Sequence, residues 1–180
     1  DRFNVYMVKA VSLNCKIGDA YSTAFGSVQE SGRTLTGDVD KVLDYALSIP
    51  SIKSKENLTV VVMANNYCGG ASNANLYGYD SSVAFISTYC DQPELYGPIV
   101  RHEVAGHGFA HLADEYAEEA GSPSSGEINR MKDEWTGKGW WANVDFTNDK
   151  SKVKWADFLS NSDYSSTVGV FEGGATYTKG

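Results

Sequence analysis

Residues 101–116 read RHEVAGHGFAHLADEY, and the rest of the chain is best interpreted outward from them. The whole sequence holds 3 histidines. All of them, His102, His107 and His111, fall in this window with Glu103, Asp114 and Glu115. Imidazole nitrogens and carboxylate oxygens are the donors of catalytic zinc, which keeps one position open for water. A glutamate beside such an ion can take a proton from that water, because zinc lowers its pKa toward ~7. The rival for this window is a polar helix end bearing solvated histidines. Crowding of scarce histidines among carboxylates disfavours it.

Spacing decides which residues could share one ion. The zinc-peptidase signature H-E-x-x-H puts histidines at i and i+4 on one helical face. Here the block is His102-Glu103-Val104-Ala105-Gly106-His107, one residue longer. At ~100° per residue, five steps turn His107 about 140° away from His102. A regular α-helix could not aim both at one metal. A π-bulge would realign i and i+5, and Gly106 sits where one forms at little steric cost.

A second register needs no bulge. Glu103, His107 and His111 fall at i, i+4 and i+8 of an unbroken α-helix, with Asp114 three residues on. It leaves His102 unused and turns Glu103 into a ligand, so no general base remains. In the bulged register the third ligand is open among Asp114, His111 and Glu115. Asp114 lies two turns, ~10 Å, beyond His107 on a continuous helix. It can serve only if the helix stops soon after His107 and the chain folds back, and Gly108 is a candidate break point.

Around this window the apolar pattern predicts an α/β arrangement. Phe3–Val11 alternates like a strand. Residues 12 to 35 read as loop. Val39, Val42, Leu43, Ala46 and Leu47 form one helical face, with Asp38 as N-cap and Pro50 past the end. The β-branched run Leu58–Ala64 predicts a strand buried on both faces. The turn-rich stretch from Asn65 to Asp80 predicts no regular element. Val83–Thr88 predicts another strand, and Leu95–Ala110 the helix carrying the histidines. Shorter helices are expected at Ile128–Trp135 and Val153–Leu159 in a loop-rich C-terminal part. Gly69-Gly70 and the loop to Tyr79 are candidate cleft walls.

Composition bounds the class. The chain has 180 residues, 15 Lys+Arg against 23 Asp+Glu, a net charge of −8, and 42% hydrophobic content. That length fits one domain spanning 1–180. The acidic balance argues against nucleic acid, and no apolar run approaches the ~20 residues of a membrane span. No charged and apolar leader opens the chain, so an export signal is expected to have been removed or to lie outside it. Cys15, Cys68 and Cys90 have no metal-like spacing; Cys68 and Cys90 could pair, or all three could be buried thiols. Abundant Tyr, Ser, Asn and Gly suit an extracytoplasmic protein.

The sequence resembles the IgA peptidase family of zinc metallopeptidases, found mostly in bacteria. The likeness rests on the lengthened H-E-x-x-G-H block at His102–His107, followed by Leu112-Ala113-Asp114-Glu115-Tyr116. It extends to the opening FNVY, to GWWANVDFTND and VKWADFL, and to the closing FEGG. The resemblance implies a zincin-like (metzincin-like) α/β fold: a mixed sheet, an active-site helix and a loop-rich C-terminal part. It implies one catalytic zinc held by His102, His107 and Asp114, with Glu103 as general base. The substrate would be protein or peptide, at a secreted, periplasmic or cell-surface location. Family members usually begin with a further strand and continue past this C-terminus, so the span is expected to be a fragment or core of a longer chain. The dipeptidyl peptidase III family shares H-E-x-x-G-H but adds a distant acidic motif that nothing here matches. The alternative from another class is a catalytically inactive binding module with a structural or absent metal. Glu103 argues against it, since a structural site needs no base beside its ligands.

Overall fold

After an antiparallel hairpin of β1 (Val28–Gln29) and β2 (Leu35–Thr36), the chain enters helix α1 (Val39–Ala46). Its start is the predicted one: the Asp38 carboxylate accepts the Lys41 N–H at 3.0 Å. In this computed structural model the residues described are 3–14, 17–18, 22–30, 34–64, 71–76, 78–88 and 93–179. They divide into two compact units, Asp1–Phe109 and Ala110–Gly180.

The first unit is built on a three-stranded mixed sheet of β3 (Thr59–Ala64), β4 (Ala71–Leu76) and β5 (Ser81–Ser87), in the order β3-β5-β4. β3 runs parallel to β5 and β4 antiparallel to it. Every residue of β5 is buried, as the central position requires. Side chains alternate across a strand, so β5 serves two layers. Val83 and Phe85 join Leu35, Val42, Leu43, Val62 and Ala64 in the core under α1 and the hairpin. Ser82, on the opposite face, bonds the helical segment that follows.

Four sequence expectations fail here, each for want or supply of a partner. Phe3–Val11 forms no strand, and Val5, Met7 and Val11 are 86–88% exposed. Alternation makes a strand only where a neighbour completes the ladder. β3 is not buried on both faces: Val60, Val62 and Ala64 turn inward while Val61 and Met63 stay exposed. They share their face with Ala84 and Ile86, and the helix on that face leaves them uncovered. Conversely, β4 is a regular strand within the supposed turn region. Its short polar side chains find fixed acceptors, Ser72 on the Leu35 carbonyl and Asn73 on the Glu103 carbonyl. The supposed loop at 12 to 35 likewise contains β1 and the first residue of β2.

The second unit pairs β6 (Ala117–Glu119) parallel with β7 (Thr176–Tyr177) and carries α3 (Ser125–Glu134) and α4 (Ala156–Ser160). Its buried residues are Ala113, Met131, Trp140, Val153 and Ala175. α3 begins three residues before the predicted Ile128. Ser124 and Glu127 close a capping box there, each side chain satisfying the other's backbone N–H. Tyr177 donates to Glu127 Oε1 at 2.7 Å, tying β7 to the start of α3. Cys15, Cys68, Cys90 and Gly69-Gly70 lie outside the described residues. Among the described residues, no helix is long and apolar enough to cross a membrane.

Candidate metal centre

The predicted histidine helix exists but changes winding along its length. A 3₁₀ turn (Pro93–Leu95) leads into α2 (Tyr96–Val100), which continues without a break into a π-helix, Arg101–Phe109. The i→i+5 geometry expected as a local bulge thus extends over nine residues. Its consequence is direct. His102 and His107 stand one π-turn apart, and their Nε2 atoms approach to 3.1 Å. The rings meet edge to face at 77°.

The sheet holds this helix at two points. Gly108 is buried, and its carbonyl accepts the Ser82 hydroxyl at 3.0 Å. A Cβ on Gly108 would stand 2.8 Å from Ser82 Oγ, closer than real side chains allow, and a tight 3.0 Å from Asn73 Nδ2. The residue permits close approach to β5 and β4 and is not the break point that its sequence position predicts. The second hold is Asn73 Nδ2 on the Glu103 carbonyl at 2.9 Å. It fixes the backbone at the residue that follows His102. The Glu103 side chain is half-buried.

The helix ends at Phe109, and His111 has a left-handed backbone, with φ +51°. The unbroken α-helical register of Glu103, His107 and His111 is therefore absent. His111 belongs to the second unit, with its ring stacked on Trp140 at 3.7 Å and 8° and its carbonyl accepting the Trp141 N–H at 2.8 Å. Asp114, half-buried, also lies in the second unit, and its carbonyl accepts the Ala175 N–H at 2.8 Å. Glu115 is exposed and accepts from Asn143 at 3.1 Å. Tyr116 is 50% exposed, and Glu172 is exposed in a turn. Trp135 stacks on Trp141 and Trp155 donates to the Gly169 carbonyl, so the tryptophans build the second unit. Sequence reasoning overlooked Asn143; the WANVD stretch gave only its identity, not what it grips.

A family model described as IgA Peptidase M64 matches residues 2–167. The chain belongs to this family. No curated protein and no solved structure matches it. Membership points to a metallopeptidase, and the donor geometry can be tested against that. Two Zn–N bonds of about 2.0–2.1 Å at a tetrahedral angle separate their nitrogens by about 3.3–3.4 Å. The His102–His107 separation of 3.1 Å is close to that edge. The pair fits a shared ion.

Proposed function

We propose that this member of the IgA peptidase family is a zinc-dependent metallopeptidase of zincin-like (metzincin-like) architecture that hydrolyses peptide bonds of protein substrates. The observation that carries the proposal is the meeting of His102 Nε2 and His107 Nε2 at 3.1 Å across a π-helical turn that also bears Glu103. The zinc ligands are His102, His107 and Asp114, a set of residues that could hold a metal ion. Two imidazoles and one carboxylate leave the open position a catalytic site needs. Asp114 is favoured because the helix stops at Phe109, soon after His107, and its seven-residue separation from His107 requires such an end.

Zinc, when bound, supplies Lewis acidity and lowers the pKa of water toward ~7. Glu103 acts as general base: its carboxylate takes the proton of the attacking water and returns it to the leaving amine nitrogen. Asn73 keeps the Glu103 backbone in place through the 2.9 Å bond. Among the described residues β4 pairs only with β5. Its other edge would take an extended substrate by strand addition, beside the helix that Asn73 contacts. Abundant Tyr, Ser, Asn and Gly suit an extracytoplasmic enzyme, secreted, periplasmic or cell-surface, and the family resemblance suits a bacterial one.

Hydrolysis of unfolded casein, with and without a chelator, tests the function. Wild type is expected to cleave it and the chelator to stop cleavage. Glu103→Gln should retain zinc and lose roughly 10²–10⁴-fold in kcat, the usual contribution of a proton-transfer group. Loss of zinc in that variant would make Glu103 a ligand. Zinc-loaded wild type that leaves casein intact would favour the inactive binding module.

A further inference from the structure

Within the second unit, the residues on both sides of Asp114 are held by a side chain that serves no regular element. Asn143 closes on Ala113 from both ends. Its Oδ1 accepts the Ala113 N–H at 3.0 Å, and its Nδ2 donates to the Ala113 carbonyl at 2.9 Å. The same Nδ2 donates to Glu115 Oε1 at 3.1 Å. One side chain thus engages the residues immediately before and after Asp114. Only the carboxamides of Asn and Gln present an acceptor and a donor together in one plane, which this double grip requires.

Asp114 itself is held from a third direction, by the Ala175 N–H on its carbonyl at 2.8 Å. The turn that delivers this N–H is unusual. Gly173, Gly174, Ala175 and Thr176 all have positive φ, +96°, +140°, +49° and +75°. Non-glycine residues seldom adopt such angles and keep them only where the surroundings over-determine the backbone. Ala113 and Ala175 are both buried, so water is not available to replace these bonds at equal cost. The segment carrying Asn143 is braced in turn, with Lys154 Nζ donating to the Trp141 and Val144 carbonyls at 3.0 and 2.7 Å.

We infer that Asn143 is a positioning residue for the metal centre. By fixing the N–H and carbonyl of Ala113 it sets the direction in which the Asp114 side chain leaves the backbone. This rests on Asp114 being a zinc ligand, as proposed above. Outer-shell partners that orient a ligand typically change metal affinity 10–100-fold when removed.

The test measures zinc affinity of the metal-free chain by competition with a chromophoric chelator, well below the melting temperature. Wild type, Asn143→Ala, Asn143→Asp and Asp114→Ala are compared, with tryptophan fluorescence following unfolding. All four tryptophans lie in the second unit, so that signal reports its integrity. Asn143→Ala is expected to bind zinc 10–100-fold more weakly while remaining folded. Asn143→Asp keeps the acceptor for Ala113 N–H but loses both donations, and should weaken binding too; it decides the matter if alanine prevents folding. Wild-type affinity in these variants, with only a lower melting temperature, would overturn the inference and leave the zinc site standing. Unfolding in both would overturn it as well, since the role would then be stability. If Asp114→Ala binds zinc like wild type, the ligand assignment itself fails.

Discussion

His111 sits at φ +51° with its ring flat against Trp140, centroids 3.7 Å apart. Both facts tie it into the second unit. Histidine is one of the residues that tolerate the left-handed region, and an aromatic stack contributes roughly 0.5–1.5 kcal/mol beyond area burial. His111→Ala is therefore expected to retain zinc while destabilising the second unit by about 1 kcal/mol, read from urea unfolding by tryptophan fluorescence. Loss of zinc in this variant would return His111 to the ligands. At this scale the sequence shows three equivalent histidines. Nothing in their spacing shows that His111 pairs with Trp140 and Trp141, some thirty residues on.

Helices and strands were legible where local chemistry alone defines them. Asp38 caps α1 as its position suggests, and the five-residue histidine spacing called for i→i+5 winding, which the Arg101–Phe109 helix has. Elements completed by distant partners were not. β4 depends on pairing with β5 and on acceptors at Leu35 and Glu103. Phe3–Val11 has the strand pattern without a ladder. The start of α3 lay in plain view as Ser124-x-x-Glu127, a capping box. That box has a pH consequence. The Ser124 N–H foremost, then Tyr177 and the Ser124 hydroxyl, hold the Glu127 carboxyl at about 2 instead of 4.5. A depressed acid stabilises the fold while ionised, so its contribution is complete above about pH 4.5 and disappears as pH falls toward 2. Glu127→Gln keeps the cap geometry without the charge. The gap in urea midpoint between wild type and this variant should close between about pH 4.5 and 2. A gap constant with pH would show that the charge contributes nothing.

For the whole molecule, the family was legible because the likeness is spread along the chain, and the family model matches residues 2–167. Spacing alone left the third ligand open among Asp114, His111 and Glu115, because two histidines share a helix whereas these residues follow its end at Phe109. The mixed sheet with its helices fits the expected α/β class. The central claim is that i→i+5 winding builds one zinc site from His102 and His107. Crystals of metal-replete protein purified without chelator, with data at the zinc absorption edge, test it most directly. The expected map has one anomalous peak about 2.0–2.1 Å from both His102 Nε2 and His107 Nε2, with an Asp114 carboxylate oxygen as the third protein ligand. A map with no peak there, or with zinc on His107 and His111 instead, would contradict it.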